Sequence, residues 1–180
     1  IPSFFRQHNF AQHPTDSPPY IALVIGAAHA TKRLPEAKLL ELCQHLQLPT
    51  VLLGGPAEAE QGAHIALAAG EHVLNTCGEL SLHQSASIVR QAWKVITHDT
   101  GMMHIAAAFH KPILSIWGNT VPEFGMYPYY PAGMARNTAF EIKDLKCRPC
   151  SKIGFANCPK GHFRCMQAIS TSGIAQVAQR

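Results

Sequence analysis

Charge is scarce in this chain. Asp, Glu, Lys and Arg make up 14% of its 180 residues, against 47% hydrophobic residues, and that balance excludes an intrinsically disordered protein, which carries more charge and has less to bury. No apolar run approaches the length that crosses a bilayer as a helix, and no signal-peptide pattern opens the sequence. The Gly-x-x-x-x-Gly-Lys-Ser/Thr loop of ATPases is missing, as is the Gly-x-Gly-x-x-Gly fingerprint of dinucleotide enzymes, which disfavours ATP hydrolysis and hydride transfer. There is no repeat at solenoid period, no low-complexity tract and no regular basic patch with interleaved aromatics. An initial Met is also lacking. The chain opens at Ile1, and residues 1–19, with four prolines, read as a linker from a longer protein.

What remains is enough for one domain with a real core. The excess of 15 Lys and Arg over 11 Asp and Glu is mild, but it is unevenly placed: residues 141–180 hold 7 basic and 2 acidic residues, leaving 8 and 9 before them. Such a basic end suits nucleic acid, phosphorylated lipid or an anionic membrane surface, or is simply a solvated face.

Short apolar runs alternate with helical patterns. Tyr20-Ile-Ala-Leu-Val-Ile25 predicts a buried strand. After the loop Gly26-Ala-Ala-His-Ala-Thr-Lys-Arg-Leu34, Pro35 can open a helix carrying Leu39, Leu40, Leu42, Cys43 and Leu46. Residues 50–53, 72–75, 94–98 and 112–117 predict four more strands, with helices over residues 57–69, 81–91 and 99–109 between them. Ser81 and Gln84 have the spacing of a capping box. The alternation implies an α/β fold with an open parallel Rossmann-like sheet. In such sheets ligands lie beyond the C-terminal strand ends, which selects the loops at residues 26–33, 54–58, 98–104 and 118–131.

Asp99-Thr100-Gly101 passes directly from a strand into a helix, whose unpaired amides and positive dipole end offer an anion such as a diphosphate a seat. Gly101 would let the ligand approach the backbone, Asp99 or Thr100 can cap the helix, and His104 lies one turn on. Thr31 and Lys32 sit in the first loop, where a lysine can neutralise phosphate charge as a nucleotide leaves. Glu58 follows Gly54-Gly55-Pro56 and can accept ribose hydroxyls, as acidic residues do in dinucleotide folds. Each residue also has a plain structural reading, as a cap, a surface cation or a helix-end charge.

Two further stretches stand out. The ring-rich segment from Trp117 to Pro131 could pack over the sheet edge, cover a base or face a partner domain. Cys147, Cys150, Cys158 and Cys165 fall as C-x2-C-x7-C-x6-C, a pattern open to structural zinc, free thiols in a compact lobe, or a disulfide. Free thiols are preferred over zinc. Cys43 and Cys77 read as core residues.

These stretches together resemble the C-terminal domain of the ADP-heptose:lipopolysaccharide heptosyltransferase family (glycosyltransferase family 9). The residues that carry the likeness are Lys32-Arg-Leu-Pro35, Gly54-Gly-Pro-Ala-Glu58, Asp99-Thr-Gly-Met-Met-His104 with Ala106-Ala-Ala108, and Lys111-Pro-Ile-Leu-Ser-Ile-Trp-Gly-Asn-Thr120. The cysteine-bearing tail is similar as well. Asn119 stands where the family often has Pro.

The resemblance implies one half of a two-domain GT-B glycosyltransferase: a linker at 1–19, a nucleotide-sugar-binding domain at 20–140, and a basic cysteine-containing segment of that domain at 141–180. It implies metal-free inverting transfer of a heptose-like sugar from a donor such as ADP-heptose to a lipopolysaccharide core acceptor. Lys32 with Thr31 and the Thr100 and Gly101 amides would hold the diphosphate, Glu58 the ribose, and Asp99 with His104 the sugar side. The family's general base belongs to an N-terminal domain beyond these residues, so the fragment alone should be inactive. The implied setting is cytoplasmic, with peripheral contact at the inner membrane and no nucleic acid. Competing readings are half of a nucleotide-sugar epimerase of the same architecture, and a basic recognition module with a zinc site.

Overall fold

The computed structural model describes residues 19–180, so the expected linker lies outside the described residues apart from its last position. Strands β1 (Ile21–Val24), β2 (Thr50–Leu53), β3 (Val73–Asn75), β4 (Lys94–His98), β5 (Ile113–Trp117) and β6 (Asn137–Glu141) form one sheet in the order β3-β2-β1-β4-β5-β6. Every neighbouring pair is parallel. Strand β1 explains why its run is apolar throughout. Successive side chains point to opposite faces, and both faces are covered. Ile21, Leu23 and Ile25 enter one core with helices α1 (Glu36–His45) and α2 (Ala59–Ala69). Tyr20, Ala22 and Val24 enter the other, against α3 (Leu82–Gln91) and α4 (Gly101–Ala108).

The five strands predicted from apolar runs are all present. The sixth, β6, was not predicted. Its sequence Asn-Thr-Ala-Phe-Glu is half-exposed, and it pairs only with β5, from Ile113 opposite Asn137 to Trp117 opposite Glu141. With its residues half-buried to exposed, β6 lacks the two covered faces that make a buried strand legible as a hydrophobic run. The predicted capping box is formed: Ser81 Oγ accepts from the Gln84 amide at 3.3 Å, and the Gln84 side chain accepts from the Ser81 amide at 2.9 Å.

The basic end is woven into the core. Helix α5 (Arg164–Gln167) buries Cys165 and Met166, and α6 (Thr171–Ala178) packs on α1, with Lys94 Nζ donating to the Val177 carbonyl at 2.8 Å. Burial pushes the Cys165 thiol up to about 11, and those of Cys43 and Cys77 to about 12. Within the four-cysteine lobe expected from spacing, burial is graded: Cys165 sits in the hydrophobic core while Cys147, Cys150 and Cys158 are half-buried, near enough to push the Cys165 thiol up further. All six are free thiols, and among the described residues no group of three or more His, Cys, Asp or Glu is placed to hold a metal ion. Among the described residues no helix is long and apolar enough to cross a membrane.

Candidate functional site

Strand order reverses between β1 and β4, and the crevice beyond their C-terminal ends is where such sheets bind ligands. From there the chain leaves β1 through Gly26 and Ala27 into a 3-10 turn, Ala30–Lys32, and leaves β4 through Asp99 into α4. Lys32 and Asp99, separated by 67 positions in sequence, meet here: Nζ lies 2.6 Å from Oδ2, with side chains 13% and 6% exposed. The same Oδ2 accepts the Thr120 hydroxyl at 3.1 Å from the exit of β5.

Asp99 is consequently occupied away from the helix end, and the N-cap position is Thr100, whose side chain makes no capping bond. The Thr100 hydroxyl instead lies 3.3 Å from that of Thr97. A Cβ built on Gly101 would meet nothing within 4 Å, so open space stands over the first turn of α4. Helix amides left without side-chain partners beside a cation form a seat for an anion. His104 is exposed on the same helix, one turn further along.

Glu58, 7% exposed, closes the other side. Arg33 Nη1 donates to its Oε1 at 2.9 Å, and the Gly55 amide donates to Oε2 at 2.9 Å. Gly26 must be glycine for this carboxylate to lie where it does, since a Cβ there would come within 2.9 Å of Oε2. Between Glu58 and Thr100 runs a cleft of about 370 Å³ with an apolar wall of Val24, Leu53, Leu80, Leu82 and Met102, and with Ser85 as a further polar group. That volume and lining suit a nucleoside-sized ligand. Leu82, which helps to line this cleft, is 63% exposed.

Thr31 has a partner the sequence did not reveal. Its hydroxyl donates to the Phe155 carbonyl at 3.1 Å and accepts from the Phe155 amide at 2.8 Å, and its own amide donates to the same carbonyl at 3.2 Å. Of the ring-rich stretch, Trp117 is wholly buried, Met126 and Tyr130 pack on the second core, and Tyr127 and Tyr129 are exposed. None of its rings lines the cleft. The sequence assigns no site role to Arg33, Thr120, Leu80, Leu82, Ser85 or Met102. Arg33 and Thr120 lie in the loops at the C-terminal ends of β1 and β5, while Leu80, Leu82 and Ser85 lie around the β3–α3 junction, outside the loops named above.

His98 joins the two sides. It is fully buried, and its Nε2 accepts the Leu34 amide at 2.9 Å, which anchors the chain just after Lys32 and Arg33 to β4. Burial lowers its pKa to about 4, with the Arg33 charge acting in the same direction and the nearby Gly26 backbone opposing. The ring is therefore neutral at pH 7, as an acceptor at Nε2 requires.

A fully parallel sheet with this strand order and a cleft at its switch point defines a Rossmann-like domain. Residues 3–157 match the family model of glycosyltransferase family 9 (heptosyltransferase), and the chain belongs to that family. Lipopolysaccharide heptosyltransferase 1 of Pseudomonas aeruginosa is 33% identical over 142 residues, which are 74% of this chain and 37% of that protein. Among solved structures, a family 9 glycosyl transferase from Veillonella parvula superposes with a TM-score of 0.70 at 22% identity, covering 98% of this chain and 48% of that one. The E. coli heptosyltransferase WaaC with ADP gives 0.66 at 21%, covering 96% and 47%. The chain thus spans about a third to a half of the length of the proteins it matches.

Proposed function

We propose that this chain is the donor-binding half of an inverting GT-B heptosyltransferase, which takes a nucleoside diphosphate heptose such as ADP-heptose and serves a lipopolysaccharide core acceptor. The observation that carries the reading is the convergence on one sheet edge of a nucleoside-sized cleft, an uncapped helix end and the Lys32–Asp99 pair. In this reading the base enters the apolar cleft, and the ribose hydroxyls reach Glu58. The diphosphate sits on the Thr100 and Gly101 amides beside Lys32, and Asp99 and His104 face the sugar. Thr31 is reassigned from a ligand contact to a tie that fixes the Lys32 turn against Phe155.

The chemistry follows from charge. As the acceptor hydroxyl loses its proton to a general base, its oxygen attacks the anomeric carbon from the face opposite the leaving group. The bond to the nucleoside diphosphate breaks, and the electron pair leaves with the phosphate. Helix amides and an ammonium held in place stabilise that growing charge without reorganising. The base, in this proposal, comes from a partner N-terminal domain whose closure also excludes water. Peripheral contact with the inner membrane at its cytoplasmic face belongs to the same proposal, as does transfer without a metal or nucleic-acid partner.

Calorimetric titration with ADP, UDP and GDP tests it. Binding of ADP at about 0.1 to 1 mM, roughly 4 to 5.5 kcal/mol, is expected for a site with one wall missing. No binding by any of the three at several millimolar would sink the donor-site reading. Transfer to a lipopolysaccharide core acceptor by this chain alone would sink the half-enzyme reading.

A further inference from the structure

Behind the Lys32–Asp99 pair lies a second charged residue that takes no part in the cleft. The Arg148 side chain is 3% exposed, yet it spends its guanidinium on four acceptors. Nε donates to the Gly118 carbonyl and Nη1 to that of Ile142, while Nη2 donates to the Thr120 carbonyl at 2.9 Å and to Glu141 Oε2 at 3.1 Å. Two residues on, the Cys150 amide donates to the Asn119 carbonyl at 3.0 Å. Three consecutive carbonyls, Gly118, Asn119 and Thr120, are thus held by one short segment of the cysteine-bearing region. Thr120, fully buried, then points its hydroxyl at Asp99 Oδ2, the oxygen that Lys32 engages.

Stability alone is a poor reason for this arrangement. A buried ion pair is commonly matched or bettered by apolar residues of similar volume, because desolvating two charges offsets their attraction. A rigid planar fork does something apolar side chains cannot: it fixes several acceptors in one geometry. We infer that Arg148 is a positioning residue, which sets the β5 exit so that the Thr120 hydroxyl holds Asp99, and through it the Lys32 ammonium, at the anion seat. The purpose of that positioning rests on the donor-site reading; the linkage itself does not.

Two readouts on the full chain separate these. The first is the lysine ammonium signal of Lys32 by ¹⁵N NMR at low temperature, assigned by its loss in Lys32→Met. The second is ADP affinity. Thr120→Val, nearly isosteric, removes only the hydroxyl, and it is expected to speed exchange of the Lys32 ammonium protons and weaken ADP binding by about tenfold. Arg148→Met should reproduce both effects, Thr120→Ser should keep wild-type behaviour, and the double variant Thr120→Val/Arg148→Met should be no worse than either single one, since both act along one path. If Arg148→Met fails to fold, Thr120→Val against Thr120→Ser decides. An unchanged Lys32 signal in Thr120→Val, or additive losses in the double variant, overturns the inference. Failure of wild type to bind ADP would count against the donor site and leave the ammonium measurement to judge the linkage.

Discussion

Lys32 and Arg33 are neighbours in sequence, but they serve opposite sides of the crevice. Arg33 turns toward the end of β2, where it meets Glu58 at 2.9 Å and also donates through Nε to the Ala27 carbonyl at 2.9 Å, while Glu58 accepts the Gly55 amide as well. Lys32 turns toward the end of β4, where it meets Asp99 at 2.6 Å beside the open end of α4. The Arg33 side is tied into its own loops. On the Lys32 side, Asp99 engages one of the three donors an ammonium carries. The difference teaches which cation is spent on the crevice's own walls and which stands at the open helix end.

Because His98 anchors both, protonating it is the harshest way to break the comparison. Its folded pKa of about 4 lies below the ordinary imidazole value of 6.5, so the unfolded chain takes up the proton first. Its contribution is full above about pH 6.5 and is lost as pH falls toward 4, amounting to about 3 kcal/mol. Urea midpoints measured from pH 7.5 to 4.5 should fall more steeply for wild type than for His98→Gln. Equal slopes would show that the ring is not buried neutral.

Next in size is the closed pair. Arg33→Met strands the Glu58 carboxylate, and since Arg33 is itself 32% exposed the cost is about 2 to 3 kcal/mol, less than for a fully buried pair. Its thermal midpoint should drop by about 4 to 12 °C. That drop should be the same with and without ADP. A larger drop in ADP would mean that Arg33 also holds the ligand, and Arg33 would then be a shared cation too.

These two pairs also mark what sequence can reveal. Five strands were legible because a strand covered on both faces must be apolar along its length, and the loops at their C-terminal ends followed from the sheet rule. Lys32, Glu58 and Asp99 were found as polar residues in those loops. Their partners were not. Arg33 and Thr120 pair across 25 and 21 positions, which no local spacing announces. Thr31 was read as a ligand contact for the same reason, since Phe155 lies 124 positions away. The leucines of the cleft wall look like any other apolar residues until the fold leaves Leu82 uncovered.

The shared pair gives the third test. Lys32→Met should weaken ADP binding by about 10- to 150-fold, the loss of a charge-assisted contact worth roughly 1.5 to 3 kcal/mol. Calorimetry at two salt concentrations checks it. The variant should also lose most of the thermal stabilisation that ADP confers on wild type, which for a ligand at about a hundred times its dissociation constant is roughly 2.7 kcal/mol. Arg33→Met, by contrast, should keep that increment. Equal loss in both variants would erase the distinction between the pairs.

The smallest expected effect is the most selective, because it touches the proposed anion seat without touching either ion pair. Gly101 begins α4, and a methyl group there meets nothing in the protein within 4 Å. Gly101→Ala should therefore leave the fold intact, and the lower backbone entropy of alanine when unfolded should keep stability level or raise it by up to about 1 kcal/mol. The same methyl stands in the space over the first helical turn, where the amides would receive a diphosphate. It would lengthen those contacts rather than remove them, so ADP affinity should fall by only about three- to tenfold. Stability and affinity thus move in opposite directions, an outcome that damage to the fold cannot imitate. Thermal unfolding and calorimetry on the same preparation read both. If Gly101→Ala binds ADP as wild type does, the diphosphate does not sit over this turn, and the open helix end beside Lys32 is only a gap in the surface.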